Sequence, residues 1–300
     1  PSSPSMAARK SNRINPREGR LSDGRSSRLA RIAESLDCVI DSDDYFYYSE
    51  HNEPTRHLEE SVFYSLGFGD EPLDRKEALN RNDWKEWEKA EKIELKGLED
   101  RKTFEYVPID SVPKGKKIIR CKWVYKRKPD RYKARLVVKG FMQSPFDYGE
   151  TYAPVCKLNT IRMLISLASK RNYNLRQVDI GNAFVEASLP HGEEVYMHSI
   201  PGYEKEGFVI KLKKALYGLK NSPRLWADLL AQTLLELGYR QSDYDSCLYS
   251  YVDKDSGKEI HVACYVDDLL MTGDQHYIDR LVKELEKKFT VRDLGEAENF

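Results

Sequence analysis

The sequence predicts an α+β fold of helices and short antiparallel strands in mixed order, and three observations carry that expectation. Apolar residues recur at helical spacing in four stretches: between residues 76 and 99, from Thr160, from Ser222 and after Asp274. Between them lie short β-type runs such as Trp123-Val124-Tyr125, Leu136-Val137-Val138 and Ile260 to Val266. The two kinds do not alternate regularly, as a parallel sheet with crossover helices requires, and no internal repeat is present.

Residues 1 to 72 read as a disordered linker or tail. Arg9 to Arg31 carries eight Arg/Lys against two acids, and Glu34 to Glu60 carries nine acids against one base. Like-charge blocks without apolar period do not bury enough surface to fold. Tyr45-Phe46-Tyr47-Tyr48 is a candidate docking patch within this tail. The start at Pro1 rather than Met reads as a piece of a longer chain.

Order is expected from about Pro72. Over residues 76–99, Ala78, Leu79, Trp84, Trp87, Ala90, Ile93, Leu95 and Leu98 mark an amphipathic helix, with Asn82 or Asp83 able to cap its second part and Gly97 near its end. A hairpin follows, turning at Arg127-Lys128-Pro129-Asp130. Twelve Lys/Arg against one acid lie between Pro113 and Lys139. Thr160 opens a helix with Ile161, Leu164, Ile165 and Ala168 on one face. Leu175 to Ile180 and Glu194 to Met197 read as strands. Ser222-Pro223 reads as N-cap and N1 of a helix whose buried stripe is Leu225, Leu229, Leu230, Thr233, Leu234 and Leu237, closed by Gly238. Ile260 to Val266 is a strand, Asp267-Asp268 a turn and Leu269 to Thr272 a second strand. Asp274 then precedes a helix with Ile278, Leu281, Val282, Leu285 and Phe289 inward.

Composition narrows the function classes. Hydrophobic residues at 40% allow a sizeable core, while 33% charged residues and a mean hydropathy of −0.68 imply an exposed segment. The net charge of zero averages over strong local blocks and excludes no polyanion partner. No run approaches the length of a membrane helix, and no apolar leader is visible. The five cysteines are scattered without C-x-x-C spacing, which suits reduced thiols of an intracellular protein and not a zinc site.

The chemistry-bearing signal is acidic. Asp267 and Asp268 adjoin two apolar strands and lack the Asn-Gly chemistry of a tight turn. Alone, they read first as two solvated acids in an ordinary exposed turn and only second as ligands of a divalent cation. Asp179, ending the strand Gln177-Val178-Asp179, adds a third carboxylate. Carboxylates from adjacent strands suit two Mg²⁺ ions at roughly 3.5–4 Å. No His-rich or thiolate alternative is present.

In order along the chain come Glu77-Ala78-Leu79 with the Trp84/Trp87 helix, Cys121-Lys122-Trp123-Val124-Tyr125-Lys126, and Tyr132-Lys133-Ala134-Arg135-Leu136-Val137-Val138-Lys139-Gly140-Phe141. Thr151-Tyr152-Ala153-Pro154-Val155, Gln177-Val178-Asp179 through Ala183-Phe184, and Glu194-Val195-Tyr196-Met197 follow. Ala215-Leu216-Tyr217-Gly218-Leu219-Lys220, Ser222-Pro223-Arg224 and Tyr265-Val266-Asp267-Asp268 close the series. Over residues 76–300 this resembles the reverse transcriptase of copia-type LTR retrotransposons. Each motif is weak alone; the ordered set is specific.

The resemblance implies a right-hand polymerase with fingers (about 100–155 and 190–215), a palm (about 156–189 and 216–300) with an antiparallel sheet, and a thumb largely missing. It implies RNA-directed DNA synthesis with Mg²⁺, two ions, or Mn²⁺ in its place. Asp179 and Asp267 are the implied ligands, with the Ile180 backbone, and Asp268 supports them. Phe184 matches the aromatic that blocks a ribose 2′-hydroxyl. Tyr265 and Val266 would lie at the primer terminus, and the backbone at Gly181 near the triphosphate. Lys126, Lys133 and Arg135 become candidates for triphosphate or template contacts, in a hairpin register the motifs do not fix. Tyr217 stands where retroviral enzymes carry Gln, with Lys220 close by. Implied partners are an RNA or DNA template with primer, dNTPs, and the integrase (upstream) and ribonuclease H (downstream) of a Pol polyprotein, in a cytoplasmic virus-like particle or the nucleus, without a membrane. Two other readings stay open: a decayed, inactive remnant that still binds nucleic acid, and a two-metal nuclease, which would need further acids that no motif places.

Overall fold

The structure is a computed structural model that describes residues 71–297; the expected tail, apart from Glu71 and Pro72, and its aromatic patch lie outside the described residues. The described residues form five α-helices and twelve strands, the strands in three sheets: α1 (Arg75–Leu79), α2 (Trp84–Asp100), β1 (Phe104–Pro108), β2 (Ile118–Ile119), β3 (Cys121–Arg127), β4 (Tyr132–Val138), α3 (Leu158–Arg171), β5 (Asn174–Gly181), β6 (Val195–Met197), β7 (Phe208–Leu212), α4 (Ser222–Glu236), β8 (Arg240–Gln241), β9 (Leu248–Val252), β10 (Glu259–Tyr265), β11 (Asp268–Gly273), α5 (Gln275–Glu286) and β12 (Thr290–Glu296). The expected α+β class is met. Strand order is β12-β5-β11-β10-β9-β8 in the large sheet and β1-β7-β6-β2 in the second, with β3-β4 a separate hairpin. The β2–β6 pair is parallel and the other strand pairs are antiparallel.

Two hydrophobic cores organise these elements. One packs α3, α4 and α5 on the six-stranded sheet through Leu164, Leu234, Leu285, Val178, Ile180, Val262 and Leu270. The other packs α2 on the hairpin and the smaller sheet through Trp87, Leu98, Trp123, Leu136, Met197 and Ile210. In β3 and β4 alternate residues point at this core, the period-2 pattern that makes a one-sided hairpin. Trp87 meets the edges of both Tyr125 and Tyr132 at 5.3 and 4.5 Å.

Several expectations are corrected. The first helix is two, α1 and α2, and Asp83 starts the second without a side-chain cap bond, while Asp74 caps α1. Ile93, expected inward, is exposed, and Glu91 is buried in the stripe instead. Glu91 survives there because Arg75, Tyr125 and Tyr203 all reach it, at 3.2, 2.5 and 3.1 Å. A buried carboxylate needs that degree of satisfaction. Ser222 does not cap α4: its hydroxyl donates to the Leu216 carbonyl at 2.7 Å, and Asn221 is the cap residue. The stripe of α4 includes Trp226, which the leucine pattern passed over. The N-terminus of α3 is served from afar, by Asp245, which accepts from Lys157 N and Thr160 Oγ1 at 2.9 and 2.5 Å. Against burial, those bonds hold the Asp245 carboxyl below its ordinary range.

Candidate active site

Asp179 and Asp268 are direct cross-strand partners, since β5 and β11 pair antiparallel with Asp268 opposite Asp179. Directly opposed residues share a face. Asp267 joins them through the backbone: the Ile180 N–H donates to its carbonyl at 2.9 Å. On the other flank of β5, Arg292 of β12 stands opposite Asp179. Gln177 Nε2 lies 3.5 Å from Asp268 Oδ1.

The turn between β10 and β11 lies one residue earlier than expected. Tyr265 pairs with Asp268, so the two turn residues are Val266 and Asp267, and Asp268 belongs to the strand. Val266 has φ of +54°. A left-handed φ at the first turn position alone suits a tight hairpin, but glycine normally supplies it. For a β-branched residue it costs about 1–3 kcal/mol. The strained peptide is held by Trp226, whose Nε1 donates to the Val266 carbonyl at 2.7 Å.

The basic hairpin meets this site through Tyr217. Pairing of Lys126 with Lys133 and of Val124 with Arg135 puts Lys126, Lys133 and Arg135 on one face. The Arg135 guanidinium lies over the Tyr217 ring at 5.1 Å, and Phe184 meets that ring edge-on at 5.2 Å. Arg135 Nε is buried without a hydrogen-bond partner. Burial, with Glu94, Asp267 and Asp179 nearby and Arg135 opposing, pushes the Tyr217 hydroxyl up to about 12. Asp179 and Asp267 are thus within electrostatic reach of Tyr217. Beneath the hairpin, burial raises the Glu94 carboxyl, with Lys133 and Arg135 working against it. Burial and the neighbouring Arg135 lower Lys133.

Two glycines close this junction. A Cβ on Gly218, whose φ is +95°, would lie 1.9 Å from the Val138 carbonyl oxygen, and one on Gly140 would lie 1.9 Å from the Gly218 carbonyl oxygen. Only glycine fits either place. The Val138 N–H donates to the Tyr217 carbonyl at 2.7 Å, tying β4 to the Tyr217 segment.

Other candidates stand further out. Lys126 pairs with Glu71 at 3.7 Å, and Lys220 Nζ reaches the Tyr148 hydroxyl at 3.2 Å. Tyr265 packs against the large-sheet core. The bare side of Gly181 faces Thr290, which a Cβ would meet at 3.5 Å. Sequence reasoning missed Trp226, Glu94 and Arg292. Only the unusual Trp in the leucine stripe of α4 was a signal for any of them.

Among the described residues, no three His, Cys, Asp or Glu side chains, Asp179, Asp267 and Asp268 included, are gathered closely enough to hold a metal ion between them. The donors at hand are oxygens on two adjacent elements. That fits Mg²⁺, which is usually held by one or two carboxylates plus substrate phosphates and keeps several waters. The four cysteines described are buried free thiols, and no helix among the described residues is long and apolar enough to cross a membrane.

Comparison with known proteins finds a matching family and several relatives. Residues 102–300 match the model of the family described as reverse transcriptase (RNA-dependent DNA polymerase). The chain is 37% identical over 239 residues to the retrovirus-related Pol polyprotein from transposon TNT 1-94 of Nicotiana tabacum, covering 76% of this chain and 18% of that protein. It is 35% identical over 252 residues to that from transposon RE1 of Arabidopsis thaliana, covering 80% and 16%. The chain thus spans under a fifth of the length of these relatives. A solved foamy viral protease-reverse transcriptase in complex with double-stranded DNA is similar at a TM-score of 0.36 and 14% identity, over 66% of this chain and 28% of that one.

Proposed function

Because the chain belongs to the reverse transcriptase family, in its copia-type retrotransposon branch, we propose that it is the nucleotide-adding core of a Pol polyprotein, an RNA-directed DNA polymerase. The supporting observation is the Asp179/Asp268 cross-strand pair, with Asp267 bonded to the same strand and both Asp179 and Asp267 within electrostatic reach of Tyr217, whose ring meets Arg135 and Phe184. In this reading the first core is the palm. The second is the fingers, against which α1 and α2 pack, and residues 1–72 are a linker.

The reaction is attack of a primer 3′-hydroxyl on the α-phosphorus of a dNTP, with pyrophosphate leaving. Reverse transcriptases work with divalent metal ions. Asp179, Asp267 and the Ile180 carbonyl would hold them here, with Asp268 in support. Two Mg²⁺ ions held there, or Mn²⁺, would supply a lowered pKa for the attacking hydroxyl and neutralise charge on the triphosphate. The chain's own side chains then position and shield. Arg135, whose Nε lacks a partner, donates to the triphosphate, and Lys133 adds charge beside it. The backbone at Ile180 and Gly181 approaches the phosphates. Phe184, braced by Tyr217, walls the sugar and excludes a 2′-hydroxyl. Tyr265 and Val266 support the primer terminus, while Lys126 and Lys220, engaged further out, serve the template backbone.

Template and primer, dNTPs, the neighbouring integrase and ribonuclease H, and residence in a virus-like particle or the nucleus belong to the same proposal. Primer extension with Mg²⁺ and dTTP on oligo(dT)–poly(rA) tests it. The wild-type chain is expected to extend and Asp267→Asn to fail; equal extension by both overturns the mechanism.

A further inference from the structure

Val266 is one of four non-glycine residues with a left-handed φ among those described, beside Lys102, Asn172 and Asn182. Asparagine tolerates that region; a β-branched side chain resists it. Val266 is also the residue directly before Asp267. Something must hold the turn in this conformation, and two donors do. The Ile180 N–H on β5 takes the Asp267 carbonyl, and the Trp226 indole N–H on α4 takes the Val266 carbonyl. The first belongs to the strand that carries Asp179. The second comes from a different element, and its ring is 1% exposed and braced edge-on by Phe289 at 5.3 Å.

We propose that Trp226 is a positioning residue of the carboxylate site: its indole N–H locks the Val266 peptide and so keeps Asp267 beside Asp179. The proposal rests on the reading that these two carboxylates bind divalent cations. Trp226 touches no substrate in it. Without the bond, the Val266 peptide relaxes toward negative φ, the turn reshapes and the Asp267 carbonyl loses its place against the Ile180 N–H, so its carboxylate moves relative to Asp179. A bulky aromatic without a donor fills the space but does not hold the peptide. A glycine at position 266 removes the reason the peptide needs holding, because glycine takes a left-handed φ at no steric cost.

The test reads Mn²⁺ binding by paramagnetic resonance of the free ion, with primer extension alongside. Wild type, Trp226→Phe, the double variant Trp226→Phe/Val266→Gly, and Asp267→Asn are compared. Losing one hydrogen bond is expected to weaken Mn²⁺ binding about 10-fold in Trp226→Phe. The double variant is expected to regain most of that loss. Replacing Trp226 by 3-benzothienylalanine, where sulfur takes the place of the N–H, removes the donor with little change of shape. It serves if the phenylalanine variant does not fold, and the same weakening is expected. Binding at wild-type strength in the donor-less variants overturns the proposal. So does a loss that glycine at 266 does not reverse, since that marks packing alone. If Asp267→Asn itself binds Mn²⁺ as wild type does, the carboxylate reading fails and takes this proposal with it. If Asp267→Asn loses binding while the donor-less variants keep it, only the role of Trp226 falls.

Discussion

Asp179 and Asp268 stand opposite each other because two strands share a hydrogen-bond ladder. Arg135 and Lys133 reach the same neighbourhood from a hairpin joined to the molecule largely through side chains and two glycine contacts. Backbone register sets the acidic half. The basic half depends on Glu91 gathering Arg75, Tyr125 and Tyr203, and on Glu94 beneath Lys133 and Arg135. The difference teaches where each half is vulnerable. Acids placed by a ladder survive most side-chain changes around them, whereas cations placed by a buried network move with it.

The sharpest way to separate the halves is Glu91→Ala. It strands a half-buried Arg75 and two tyrosine hydroxyls around a buried site, so chemical denaturation is expected to show a loss of about 3 kcal/mol. The loss should be confined to the core that α2 forms with the hairpin and the smaller sheet, with amide protection in β5, β10 and β11 little changed. Equal loss of protection in the large sheet would break the comparison. Glu91→Gln, which keeps hydrogen-bonding capacity, should cost less.

Arg135→Ala comes next. If Arg135 serves the triphosphate, steady-state kinetics should show the KM for dNTP raised roughly 100-fold, with kcat changed less. Arg135→Lys should recover only part, because an ammonium cannot reproduce the planar fork over Tyr217. A normal KM would sever the hairpin from the site.

Phe184→Ala is expected to relax selection of dNTP over rNTP by about 10-fold, read as the ratio of kcat/KM values. Tyr217→Ala should act the same way, as the ring that braces Phe184. Unchanged selectivity would leave Phe184 as core packing.

The smallest effect concerns the far end of the large sheet. Burial lowers the pKa of His261, opposed by Glu259. The unfolded chain therefore binds the proton more readily than the folded one. The stability that His261 contributes is complete above about pH 6.5 and is lost as pH falls from there through the lower folded value. Thermal unfolding between pH 7.5 and 5.5 should show that decline, and His261→Gln should flatten it. Extension kinetics at pH 7.5 should not respond, since His261 lies on β10 opposite Ser250 of β9, at the end of the strand away from the turn.

Legibility in the sequence follows the same division. Helical and strand periods placed α3, α5, β5 and the β3–β4 hairpin, because one-sided burial writes itself into spacing. Asp179 and Asp267 were legible as acids at strand ends and through the ordered motifs. The turn slipped by one residue because nothing in Val-Asp-Asp announces a left-handed valine; Trp226, 40 positions away, carries that information. Glu91 was illegible since periodicity treats a charged residue as outward, and its three partners come from α1, β3 and the segment after β6. Ser222 looked like a cap by residue type, but the Leu216 carbonyl was nearer. Gly140 and Gly218 were visible as motif residues without a reason, which is the close crossing of two backbones.

The central claim is that Asp179 and Asp267 form the reacting centre and Asp268 supports it. Single-turnover incorporation of one dNTP by Asp179→Asn, Asp267→Asn and Asp268→Asn, side by side in Mg²⁺, tests it most directly. The first two are expected to lose about 10³-fold or more, and Asp268→Asn to keep a measurable fraction of wild-type rate. Incorporation by Asp267→Asn at the wild-type rate, or a greater loss at Asp268 than at Asp267, would contradict it.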